Sequence, residues 1–106
     1  MLVVSYGTRD LAHRCTKLEL AQAWLGATDA QALIDLIAEI ESFENAAELL
    51  EFRDGQVGEG DSLRVDFSPR YRALLIPVGK NIPRAKDGCL ALEEIHRLLL
   101  SDIVEV

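Results

Sequence analysis

Cysteine, histidine, proline and positive charge are all scarce in this 106-residue chain, and each shortage removes a class of protein. The two cysteines, Cys15 and Cys89, have neither metal-type nor redox-type spacing, so a disulfide scaffold or a zinc knuckle is not encoded. They read as free thiols in a cytoplasmic protein, Cys15 in the core; a disulfide between them is the less favoured pairing. Of the two histidines, His13 has no metal-type companion one helical turn away, and nothing implies a metal or an organic cofactor. No apolar run approaches the ~20 residues that span a bilayer. The first six residues lack the basic flank and long apolar stretch of a secretory signal, so no membrane association is expected. Repeats and low-complexity tracts are absent too. With 49% hydrophobic residues the chain is not a disordered one. Its length suits one domain, residues 1–106, with a real core.

Lysine and arginine number 11 against 18 aspartates and glutamates, for a net charge of −7. Such a molecule repels nucleic acid at long range. The charge is unevenly placed, however. Residues 29–61 hold ten acids opposed by Arg53 alone, whereas residues 62–90 hold six bases against Asp66 and Asp87. An acidic segment therefore precedes a basic one.

Leu2 to Tyr6 is a short strand candidate. Thr8 can cap a helix running to about Leu25, with Gly26 just past its end and Leu11, Cys15, Leu18 and Leu25 on its buried face. Thr28 and Gln31 form a capping box for a second helix, with Ala30, Leu33, Ile34, Ile37 and Ile40 as its buried stripe. Asn45 followed by Glu48 starts a third, short helix. Turn residues then surround a weak strand near Gln56 and Val57. Leu63, Val65 and Phe67 alternate with Arg64, Asp66 and Ser68, the period-2 pattern of a half-buried strand. Ser68-Pro69-Arg70 supplies turn chemistry, and Tyr71 to Val78 forms the returning strand. Gly79 to Glu94 reads as a long exposed loop, and Ile95 to Val106 as a central strand buried on both sides. The pattern gives an α+β domain in which an antiparallel sheet is packed by an N-terminal helical hairpin.

Several strings resemble those of the RelE/ParE superfamily of bacterial toxin–antitoxin proteins, in its HigB-like, plasmid-killer branch. Glu44-Asn45-Ala46-Ala47-Glu48-Leu49 is similar to the start of that branch's short helix, and Tyr71-Arg72 to the Tyr-Arg pair of its hairpin. Pro83-Arg84-Ala85-Lys86-Asp87-Gly88-Cys89-Leu90 resembles its Pro-Arg-x-x-Asp-Gly-Gly-Leu loop, and Ile103-Val104-Glu105-Val106 its closing strand. The resemblance implies a RelE-like fold, an antitoxin partner, and ribosome-dependent mRNA cleavage in which the RNA 2′-hydroxyl attacks while cationic groups neutralise the phosphate. The chain departs from the family at two points. Gln56-Val57-Gly58-Glu59-Gly60-Asp61 replaces a basic segment of the type His-x-Leu-Lys-Gly-Asp, and the chain stops at Val106 without a terminal histidine or tyrosine. Both departures point to reduced or lost cleavage.

The candidate catalytic residues are Arg72, a guanidinium in an otherwise apolar strand, and His96, the histidine nearest the expected cleft. Arg64, Arg70, Lys80, Arg84 and Lys86 are the candidate RNA contacts. Each has a plainer role: Arg72 paired with a carboxylate, His96 in a routine hydrogen bond, the others solvated. A separate function class is a non-catalytic module that binds a protein partner through the acidic helical face carrying Glu39, Glu41, Glu44, Glu48 and Glu51. Open strand edges also allow a homodimer by sheet extension.

Overall fold

The computed structural model describes residues 2–58, 61–79 and 82–106. It is an α+β fold with a five-stranded sheet. Strand β1 spans Val3–Tyr6; helices α1, α2, α3 and α4 span Arg9–Thr16, Leu18–Leu25, Ala27–Ser42 and Ala46–Arg53; strands β2, β3, β4 and β5 span Gln56–Val57, Leu63–Asp66, Tyr71–Pro77 and Arg97–Glu105. The sheet order is β1-β5-β4-β3-β2. Strands β2 to β5 pair antiparallel, but β1 lies parallel to β5, so the sheet is mixed where a purely antiparallel one was expected. The reason is topological. The last strand inserts between the first strand and β4, and only one orientation lets it also pair antiparallel with β4.

The expected single first helix is two. Lys17 sits between α1 and α2 in an extended conformation (φ −118°, ψ 114°). Thr16 Oγ1 donates to the Ala12 carbonyl at 2.7 Å, the local back-bonding that bends or ends helices. The break shifts the stripe: Ala21 and Leu25 are buried, whereas Leu18, expected inside, is exposed. The expected cap at Thr28 also moves. Gly26, at φ 90°, ends α2 by donating to the Gln22 carbonyl and begins α3 by accepting from Ala30 N, leaving Thr28 inside the first turn. Gln31, freed from capping, donates to Asp35 at 2.9 Å. The other two caps form as the sequence suggests. Thr8 Oγ1 accepts from Leu11 N, and Asn45 Oδ1 accepts from Glu48 N.

One sheet face and the helices share a core. Leu33, Leu36 and Ile40 of α3 and Leu49 of α4 meet Leu63, Val65, Leu75, Leu98 and Leu100 of the sheet. Each fully buried leucine there contributes about 1.5–3 kcal/mol relative to exposure. Leu36 takes the place in the stripe expected for Ile34, which is half-buried. Alternation along β3 and β4 sends Arg64, Asp66, Arg72, Leu74 and Ile76 to the opposite face, outside the core cluster.

In the segment after β4, residues 84–89 are exposed as expected, but the described part, residues 82–94, also carries local structure. Arg84 and Leu90 form a bridge, Ala85 N donates to the Cys89 carbonyl, and a turn of 3₁₀ helix follows at Leu92–Glu94. Leu90 and Leu92 tuck against the core and anchor it. Both cysteines are free thiols, Cys15 buried and Cys89 exposed. Among the described residues, no helix is long and apolar enough to cross a membrane.

Candidate functional site

A polar cavity of about 220 Å³ lies at the β2–β3–β4 side of the sheet, lined by Arg53, Asp54, Gln56, Arg64, Asp66 and Arg72. Strand register assembles most of it. Gln56 pairs with Arg64, and Asp66 with Arg72, so all four project from the face the helices leave open. Arg53 and Asp54 come from the end of α4, where Asp54 takes a left-handed conformation (φ 55°) that stops the helix.

Two of the three guanidinium groups are already engaged. Arg53 grips Glu39 of α3 through Nε (3.2 Å) and Nη2 (2.5 Å), both side chains being largely buried. Arg72 meets Asp66 through Nε at 2.6 Å, with Nη2 at 3.5 Å from the second oxygen. That hydrogen bond, and then the carboxylate's charge, holds Arg72 still more firmly protonated than an ordinary arginine. Arg64 differs. Its Nε is buried and has no hydrogen-bond partner among the described residues, and none of the ion pairs among them includes it. Its side chain lies against Gly58, where a methyl group would come within 3.0 Å of Nε.

The other sequence candidates lie elsewhere. His96 sits just before β5, whereas Arg72 pairs with Val104 near that strand's far end. Arg97 and Val104 are seven residue steps apart along the strand, roughly 23 Å. The structure therefore does not bring the two proposed catalytic residues together. His96 Nδ1 lies 2.8 Å from the Glu44 carbonyl, an acceptor only, so Nδ1 is the donor. The ring lines a second cavity of about 210 Å³ with Pro77, Ile82, Pro83 and Arg97. Arg70, in the hairpin turn, lies 5.8 Å from the centre of the Tyr71 ring. Arg84 is bound by Asp61 and by the Gly88 carbonyl, and Lys86 is exposed in the neighbouring turn. Lys80 falls outside the described residues. Of the basic candidates among the described residues, only Arg64 and Arg72 share a site.

Arg53, Asp54 and Gln56 also line this cavity, although sequence patterns mark Arg53 and Asp54 only as turn residues and Gln56 only as part of a weak strand. One signal distinguishes Arg53: it is the lone base among ten acids between residues 29 and 61. The pairing of Gln56 with Arg64 carries no comparable mark.

Chemically, the cavity offers guanidinium donors, one unsatisfied, beside two carboxylates and an amide. It can accept an anion with several oxygens, such as a phosphate, by exchanging Asp66 for the ligand at Arg72. Its lining contains no imidazole. Among the described residues, no group of three or more histidine, cysteine or acidic side chains is placed to hold a metal ion. No protein-family model, curated protein or solved structure matches this chain.

Proposed function

We propose that the chain is a RelE/HigB-like toxin–antitoxin protein that binds the backbone of an RNA strand at Arg64 and Arg72, with endonuclease activity reduced or lost. The observation that carries this reading is the buried Arg64 Nε, without an acceptor among the described residues, beside the Arg72–Asp66 pair. A buried donor left unmade is unfavourable, and a phosphate oxygen that draws the Arg64 guanidinium out into the cavity it lines supplies the missing acceptor. The reduced chemistry follows from what surrounds the bound phosphate. The site holds Arg72 against a carboxylate, and His96, the histidine beside the sheet, stands at the other end of β5 with one nitrogen committed to Glu44. Charge neutralisation is supplied, but no imidazole base is. The reading puts the protein in the bacterial cytoplasm with an antitoxin as its partner and mRNA on the ribosome as its ligand.

Two measurements test it. Purified protein should bind a single-stranded RNA oligonucleotide without cutting it. Arg64→Ala or Arg72→Ala should each flatten the dependence of log affinity on log salt by about 0.7 for every phosphate left without its arginine. Induced expression in a bacterial host should leave growth and transcripts largely intact. Growth arrest with cleaved mRNA, relieved by Arg72→Ala, would refute the loss of activity; absence of RNA binding would refute the proposal as a whole.

A further inference from the structure

Away from the arginine cavity, α4 turns an aromatic side chain into solvent. Ala46, Leu49 and Leu50 form its buried stripe at i, i+3, i+4 spacing, which leaves Glu48, Glu51 and Phe52, at the same spacing, as an outer stripe. Phe52 is 68% exposed, the highest value among the exposed large apolar side chains described. It does not stand alone. Half-buried Phe43, in the link between α3 and α4, brings its ring centre within 5.5 Å at a 51° tilt. Phe43, Glu48, Glu51 and Phe52 line a shallow cavity of about 300 Å³.

We propose that this aromatic cavity docks a cationic amphipathic segment of a partner protein, its apolar side chain seated on Phe43 and Phe52 and its lysines or arginines facing Glu48 and Glu51. The proposal does not depend on RNA binding at Arg64 and Arg72. Charge complementarity selects the occupant. The cavity rim is acidic, within a segment carrying ten acids and one base. A nucleic acid or an anionic membrane is repelled there, and a second copy would bring the same acidic rim to the contact. A basic segment is attracted, and its cations also gain from the faces of the two rings. An exposed aromatic beside a half-buried one gives such a segment the central anchor on which interface affinity concentrates.

The test uses the full chain and three synthetic peptides of equal length: an amphipathic Leu/Lys helix, a Leu/Glu helix, and an Ala/Lys helix of the same charge as the first. Titration calorimetry should find the Leu/Lys peptide binding at least about tenfold tighter than either control. Phe52→Ser should weaken the Leu/Lys peptide about tenfold or more, as loss of an aromatic anchor does. Because Phe52 is exposed, that variant should keep the native circular dichroism and melting temperature. Glu51→Lys should also weaken binding, whereas Glu105→Lys, an equal charge change at the end of β5, should not. Equal binding of Leu/Lys and Leu/Glu peptides, or no effect of Phe52→Ser, overturns the proposal. So does equal weakening by the two lysine variants, which would reduce the effect to net charge. A dimer in sedimentation that Phe52→Ser abolishes would assign the cavity to a second copy instead, and overturn it too.

Discussion

Gly55 follows α4 and precedes β2, and replacing it with alanine tests whether the end of α4 and the edge of the sheet are locked together as described. A methyl group at this position would stand 2.6 Å from Leu50 Cδ2, 3.0 Å from the Arg64 carbonyl oxygen and 3.3 Å from Val65 Cγ2. Leu50 is only 9% exposed, so its side chain can move away only into filled core. The Arg64 carbonyl cannot move alone either, because Arg64 is held in register with Gln56 on one side and Leu74 on the other. Overpacking of this kind costs about 1–3 kcal/mol. The φ of Gly55 is not among the positive ones, so alanine also restricts the unfolded chain and returns about 0.4–1 kcal/mol. The net expectation for Gly55→Ala is a destabilisation of about 1–2 kcal/mol.

In a domain of this size that corresponds to a fall of roughly 5–15 °C in melting temperature. Urea unfolding followed by circular dichroism and by Trp24 fluorescence should show a lower midpoint with an unchanged slope. Adding Leu50→Ala separates the close contacts. It removes the first and keeps the other two, so the double variant should be less destabilised than the sum of the singles. If Gly55→Ala is as stable as the native chain, or more so, the steric argument is wrong and α4 is not fixed against β3 as described.

The two capping sites make opposite predictions. Asn45→Ala should cost about 1 kcal/mol because its side chain accepts from Glu48 N, whereas Thr28→Ala, inside α3, should change stability by no more than a few tenths. Chemical denaturation distinguishes these outcomes directly. Burial pushes the Cys15 thiol up to about 11. The unfolded thiol releases its proton from about pH 8.5–9 while the folded one keeps it, so stability should fall as pH rises from about 9 through 11. Cys15→Ala should flatten that decline, although Tyr6, whose phenol is raised first by burial and then by the neighbouring Cys15 and Glu41 charges, leaves a residual slope at higher pH. At pH 8 a thiol reagent should label Cys89 rapidly and Cys15 only as fast as the protein opens.

The elements most legible in the sequence were those whose signal is local. Asn45 and Thr8 act as caps because a short side-chain oxygen reaches a backbone N–H within one turn, whatever lies around it. The β3–β4 hairpin was legible for a similar reason, since Ser68 Oγ accepts from Arg70 N and Tyr71 N within the turn. Where two local signals compete, the sequence misled. Thr28 has the residues of a capping box, but a glycine two positions earlier already ends one helix and begins the next, so the box is never used. The parallel pairing of β1 with β5 had no local signal. It joins residues at opposite ends of the chain, and alternating side chains read the same in either strand direction.

The same division explains the candidate site. Arg64 and Arg72 were identifiable as charges inside strand patterns, and strand register then placed them on one face. Whether each charge is satisfied depends on geometry instead. Asp66 is directly opposite Arg72 and satisfies it, a pairing implicit in the hairpin once its turn is known. Arg64 faces Gln56 and Leu74 across its two neighbouring strands, neither of them an anion, and Gly58 leaves room for its side chain to lie against the backbone beside β2. The unsatisfied donor thus results from three strands meeting in register, with a two-residue strand on the outside. If β2 were lost from the sheet edge, Arg64 Nε would gain access to water and its need for an anion would lapse. Gln56→Pro, which removes the backbone donor of that strand, should therefore weaken anion binding at the cavity while leaving the Arg72–Asp66 pair intact; phosphate titration followed by NMR of the arginine Nε–H signals checks both outcomes, and unchanged phosphate affinity would refute the argument.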